Sequence, residues 1–266
     1  MVRADEVTIE QYRLDPAKYS FSYPTYPGGW VLGGLKSEAA WCRHMCNKSN
    51  VKVIDVDYRM GPEFRFPTAI YDCWDAAIEN ADALNVDPKS VSFGGLSAGG
   101  HTSAVLAHFA RDENIDIKLH LMIVPATDMR YCSTKIKALT PDNCPYESAR
   151  LFADLPWGPL GREQWFLKYW LGDDADEQER ILNEEWIMTP WSAPAHIVTA
   201  EFDLERDEGE AYGRMLQQAG NQVTMKRYAG SPHAFAHYNH PQRGLATSFE
   251  FIEDTAALLK DGHYGH

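Results

Sequence analysis

The chain has 266 residues, with 25 basic and 38 acidic side chains and a net charge of −13 at pH 7. A surface this acidic repels phosphate backbones and anionic headgroups, which argues against nucleic acid and membrane surfaces as partners. Hydrophobic residues make up 44% and charged residues 24%, a composition that excludes a disordered chain and allows a sizeable core.

The first residues, Met1 to Glu6, contain no apolar export segment, and no stretch approaches 18 uninterrupted apolar residues. Cys42, Cys46, Cys73, Cys132 and Cys144 are odd in number and irregular in spacing, so neither a disulfide framework nor a zinc clip is expected. The expectation is a soluble, cytoplasmic protein with reduced cysteines, no bound metal and no membrane insertion.

Taken in chain order, Cys42 and Cys46 lie four apart on an expected helix. The β-branched run over 51–57 reads as a buried strand. Residues 67–84 have helical spacing, with Ala69, Ile70, Cys73, Trp74, Ala77 and Ile78 on one face and Pro67 in the first turn. A strand over 91–94 leads into a helix over 98–111, and a strand over 119–125 closes at Pro125. A strand over 197–201, a helix over 206–219 ending at Gly220, a strand over 222–228 and a helix over 244–260 complete the series. Alternation of this kind predicts a mostly parallel, doubly wound α/β sheet, one domain over 1–266, with its chemistry outside the carboxyl ends of the strands.

The rhythm breaks between about 127 and 192, where no strand is evident and Trp157, Trp165, Trp170, Trp186 and Trp191 all fall. An aromatic-rich helical insertion after a strand end fits a lid over a pocket; it also fits plain packing of the insertion onto the domain.

Gly95-Leu96-Ser97-Ala98-Gly99 matches G-x-S-x-G between a predicted strand and a predicted helix. Small neighbours let the backbone turn sharply around a serine, and the helix N-terminus aims N–H groups at developing negative charge. A serine hydroxyl needs a base and an orienting acid, which in this architecture follow in the order acid, then histidine. Asp203, two residues past the 197–201 strand, is the expected acid, with Glu201 and Asp207 as neighbouring alternatives. His233, between the last strand and the last helix, is the expected base, with His237 and His240 as downstream alternatives. His44, His101, His108, His120 and His196 read as surface or packing residues, and His263 and His266 as a disordered tail.

Five ordered blocks resemble the hormone-sensitive-lipase-like family of α/β-hydrolases. They are Gly28-Gly29-Trp30-Val31-Leu32-Gly33, residues 57–63, residues 94–100, Thr199 to Asp203 with Arg206-Asp207-Glu208-Gly209, and Gly230 to Phe235. The resemblance spans roughly residues 28 to 260. It implies an α/β-hydrolase fold with a helical lid, carboxylesterase-type activity on small esters, and no metal or organic cofactor. It also implies Ser97 as nucleophile, Asp203 as acid, His233 as base, and the amides of Gly28, Gly29 and Ala98 as the oxyanion hole. Trp30, Leu32, Leu96 and Trp165 are expected near an apolar substrate pocket. Relatives often pair through their last strand and helix, which by analogy suggests a homodimer.

The chain departs from the family in two places. The family's loop HGGG, followed by an aromatic residue, reads Tyr26-Pro27-Gly28-Gly29-Trp30 here. Only about 25 residues precede that loop, and Pro24 and Pro27 interrupt what should be an inner strand. The front of the sheet is therefore expected to be short or rearranged. Two functions follow: a serine esterase acting through an acyl-enzyme at Ser97, or a hydrolase-derived binding, acyl-transfer or cyclising protein with impaired hydrolysis.

Overall fold

In the computed structural model, the described residues are 8–12, 20–24, 28–34, 37–172 and 193–265. They build a sheet from β1 (Thr8–Tyr12), β2 (Ser20–Pro24), β3 (Lys52–Asp57), β4 (Val91–Leu96), β5 (His120–Ile123), β6 (Ala195–Phe202) and β7 (Val223–Pro232). Their spatial order is β1-β3-β2-β4-β5-β6-β7. Among these strands β1 alone is antiparallel, lying on β3; the other neighbours run parallel. The helices are α1 (Ala39–Ser49), α2 (Thr68–Trp74), α3 (Ala98–Asp112), α4 (Glu147–Leu151), α5 (Leu160–Leu171), α6 (Arg206–Gln218) and α7 (Ala246–Tyr264).

A parallel sheet covered on both sides needs apolar side chains in both directions, and successive residues of a strand point to opposite faces. On β3, Val53 joins the core formed with α1 and α7, through Cys42, Met45, Phe251 and Leu259. Ile54 and Val56 join the opposite core, with Ile70 and Cys73 of α2 and Val105 and Leu106 of α3. The alternation recurs on β5 and β6, where Leu121, Ile123 and Val198 face α7, while Met122 and Ile197 face Tyr212 and Leu216 of α6.

Three expectations change on folding. The inner strand forms: β2 lies between β3 and β4. Pro24 is its last residue, and pairing with β4 has already ended at Ser22, so the missing proline N–H costs no bond on that side. The helix expected to reach residue 84 leaves α geometry after Trp74, passing into a wider turn over Asp75–Glu79. There the Asn80 N–H and side-chain amide both donate to the Asp75 carbonyl, at 2.9 and 2.7 Å. His263 belongs to no loose tail. It is buried in α7, with Ser90 Oγ 3.1 Å from Nδ1 and Ser92 Oγ 2.9 Å from Nε2. His266 lies outside the described residues.

A third layer sits over the carboxyl ends of the strands. Tyr131 and Cys132, α4 and α5 share a core with Trp30, Ala98 and Leu204. The rest of the expected insertion, with Trp186 and Trp191, lies outside the described residues.

Candidate active site

Ser97 caps the N-terminus of α3 directly after β4, with φ 56° and ψ −117°. A non-glycine residue in this region is strained, and such strain persists only where the surroundings impose it. Here the Ser97 N–H donates to the Ile123 carbonyl of β5 at 2.8 Å, and the Ser97 carbonyl accepts from the His101 N–H at 3.0 Å. The turn closes on itself so tightly that a Cβ on Gly95 would meet the Gly99 carbonyl oxygen at 2.2 Å. Glycine at that position is a steric requirement. The first amides of α3 have no acceptor within their own helix, and Ser97 is 6% exposed above them.

Asp203 and His233 are distant in sequence but are delivered by a single strand pairing. β7 continues past the expected end at Tyr228, through an irregularity opposite Ala200 and Phe202, until Pro232 pairs with Phe202. The residues that follow these two are Asp203 and His233, so both leave the sheet side by side. Asp203 Oδ2 lies 2.9 Å from His233 Nδ1. Asp203 Oδ1 accepts from the Glu205 N–H at 3.0 Å. Both side chains are buried, at 2% and 7% exposure.

The alternative acids and bases have other partners. Glu201 Oε2 accepts from the Gly230 N–H at 2.6 Å. Asp207 accepts from the Ser148 N–H of α4 at 2.7 Å and from Arg206 at 2.8 Å. His240 Nδ1 accepts from the Gln242 N–H in a local turn. His237 pairs with Glu38 through Nε2. Burial opposes charge on His237, but the Glu38 carboxylate and its hydrogen bond outweigh that penalty and raise the imidazole pKa.

Gly28, Gly29 and Trp30 form a tight turn, the Gly28 carbonyl accepting from Val31 and Leu32 at 3.0 and 2.9 Å. Tyr26 and Pro27, the departures from the family loop, lie outside the described residues. Gly29 has φ +54°, and a Cβ there would stand 2.1 Å from Phe166 Cγ of α5. Trp30 stacks on Trp170 of the same helix, with centroids 3.8 Å apart and planes 6° apart. His101 meets both indoles edge-on, at 5.2 and 5.3 Å, and burial lowers its pKa to about 3, which leaves it neutral. The inserted layer is thus docked on the loop beside Ser97. Of the expected pocket residues, Leu96 is wholly enclosed in the sheet core and offers a ligand no surface. Trp30 is 1% exposed, whereas Trp165 and Leu32 are open to solvent.

Sequence reasoning missed a group of buried carboxylates next to the histidine. Glu205 Oε2 stands 3.8 Å from His233 Nδ1. Burial, then the charges of Glu163, Asp203 and Glu208, push Glu205 well above the usual carboxylate range, with Arg162 opposing. A glutamate two residues past the expected acid was the available signal. A small cleft opens on this side of the site, between Trp157, Arg162, Glu163, Glu205 and His233. Among the described residues no cluster of three or more His, Cys, Asp or Glu side chains is arranged to hold a metal ion, and no helix is long and apolar enough to cross a membrane.

A strained serine between a central parallel strand and its helix, with an Asp–His pair after the later strands, defines an α/β-hydrolase. This chain belongs to that family, in its hormone-sensitive-lipase-like carboxylesterase branch: residues 26–237 match the family described as alpha/beta hydrolase fold. It is 30% identical to an arylesterase of Saccharolobus solfataricus, over 96% of this chain and 82% of the relative. It is 31% identical to an ethyl acetate hydrolase of Pseudomonas putida, over 78% of this chain and 63% of the relative. An AB hydrolase superfamily protein of Schizosaccharomyces pombe is 35% identical over 77% of this chain. The chain spans 60% of that relative's length. Among solved structures, an esterase of Pyrobaculum calidifontis superposes with a TM-score of 0.82 at 29% identity, covering 96% of this chain and 80% of the other.

Proposed function

We propose that this protein hydrolyses small carboxylic esters through an acyl-enzyme on Ser97. The observation that carries the reading is the 2.9 Å contact between His233 Nδ1 and Asp203 Oδ2 at the same sheet edge as the strained Ser97 turn. With Nδ1–H donated to the carboxylate, Nε2 is left as the acceptor, the tautomer a general base needs. Ser97 Oγ attacks the ester carbonyl while Nε2 takes its proton. The tetrahedral oxyanion draws on the Ala98 amide at the start of α3 and on the amides of Gly28 and Gly29. The imidazolium returns its proton to the departing alkoxide, and the alcohol leaves. Water then repeats the sequence on the acyl-enzyme, releasing the acid and free Ser97. Asp203 keeps the ring oriented and stabilises its charge; it does not take the proton.

Substrate size follows from the packing. Ser97 is nearly enclosed, and Ala98 next to it packs in one core with Phe166 and Trp170. Short, apolar acyl groups fit that surround better than long chains or charged ones. The names of the relatives, an arylesterase and an ethyl acetate hydrolase, point to the same class.

A panel of para-nitrophenyl esters of increasing acyl length, run beside Ser97→Ala and a fluorophosphonate label, tests the reading. Expected are turnover that is highest for the shortest chains, its loss in Ser97→Ala, and labelling at Ser97 alone. Turnover surviving in Ser97→Ala, or an adduct on another residue of the folded protein, would overturn it.

A further inference from the structure

Beside the Asp203–His233 pair lies a carboxyl group that the chemistry above does not use. Glu205 Oε2 stands 3.8 Å from His233 Nδ1, the nitrogen that Asp203 holds at 2.9 Å. Glu205 is 2% exposed, and its Oε2 has no hydrogen-bond partner among the described residues. Leaving a buried carboxyl oxygen unpartnered is costly. Packing alone would be served better by an apolar side chain, as at the adjacent Leu204, which joins the core with Phe166 and Trp170.

The backbone sets the direction of this side chain. The Glu205 N–H donates to Asp203 Oδ1, so the turn that orients the first carboxylate also aims the second at the imidazole. Glu163 on α5 and Glu208 on α6 crowd Glu205 with negative charge, while Arg162, bonded to Glu163 at 2.7 Å, works against them. Burial first, and this crowding after it, raise the Glu205 pKa well above the usual carboxylate range. Removing the Asp203 charge relieves part of the crowding and favours the ionised form of Glu205, the form that accepts an N–H.

We propose that Glu205 is a second acid for His233, a positioning residue able to take the Nδ1–H when Asp203 is displaced or lost. It rests on the acyl-enzyme reading. Closing the gap from 3.8 Å to the 2.9 Å that Asp203 achieves requires less than 1 Å of side-chain movement.

The test is a double-mutant cycle in kcat and KM for para-nitrophenyl acetate, with Ser97→Ala and His233→Ala as references. Glu205→Gln alone is expected to lower kcat by about two- to fivefold, whereas in an Asp203→Ala background it lowers kcat by a further tenfold or more, with KM little changed. Glu205→Asp in that background retains more turnover than Glu205→Gln, because a carboxylate is still present. An equal factor in both backgrounds, or an Asp203→Ala enzyme already at the Ser97→Ala level, overturns the proposal while leaving the acyl-enzyme reading intact. Turnover near wild type in Ser97→Ala and His233→Ala defeats both. Should Asp203→Ala lack a cooperative melt, Asp203→Ser, which likewise removes the carboxylate, is judged by the same comparison.

Discussion

Gly29 is where the inserted layer and the loop beside Ser97 are most tightly interlocked, so Gly29→Ala perturbs the site through one methyl group. Gly29 has φ +54°, and the new Cβ would stand 2.1 Å from Phe166 Cγ. An L-residue held in left-handed geometry costs about 1–2 kcal/mol, and forcing a methyl into a packed contact costs about 1–3 kcal/mol. Gly29→Ala is therefore expected to lose about 2–5 kcal/mol of stability. Phe166→Ala alone should lose about 3–5 kcal/mol, because it empties a buried site. In the double variant the methyl finds the space the ring vacated, and the loss should fall short of the summed singles by about 1–3 kcal/mol. Urea unfolding followed by far-UV dichroism measures all four corners. Because the same turn carries two of the proposed oxyanion amides, Gly29→Ala should also lower kcat by about 10²–10³. Strict additivity between the two substitutions, or a Gly29→Ala protein with wild-type stability, would refute the contact on which this rests.

Three more predictions follow from the same geometry. Ser97→Gly should abolish turnover yet raise stability by about 1 kcal/mol, the relieved strain of about 1–3 kcal/mol less the entropy cost of a glycine; a variant that melts below wild type contradicts the strain. His101, His108 and His120 are lowered to about 3, and His196 and His263 to about 4, each primarily by burial. The unfolded chain binds protons at these sites first, so stability should fall as pH drops below about 6.5, each histidine adding a slope of about 1.4 kcal/mol per pH unit; urea midpoints flat from pH 7 to 5 would exclude this. His237 runs the opposite way, its pKa raised by Glu38. The stability it contributes is fully present below about pH 6.5 and is lost as pH rises through its folded value. Glu38→Gln should therefore show its largest deficit near pH 6 and a smaller one by pH 9, and a deficit independent of pH would remove the ion pair from the account.

The chain itself determined the class of fold and the order of the groups at its sheet edge. Strands buried on both faces must be apolar in consecutive positions, and a serine between Gly95 and Gly99 needs small neighbours, so both signals are local and survive in a linear reading. What depended on pairing between distant segments was decided only in three dimensions. Pro24 looked like an interruption until β2 ended on it; β7 looked shorter until Pro232 paired with Phe202 and brought His233 beside Asp203. His263 looked like tail until α7 carried it to Ser90 and Ser92. Glu205 is the sharpest case: as a letter it is one acidic residue among 38 acidic side chains, and only burial against His233, Glu163 and Glu208 gives it chemistry. Side-chain periodicity is written along one strand or helix, whereas desolvation and charge are set by which neighbours a fold brings within a few ångströms.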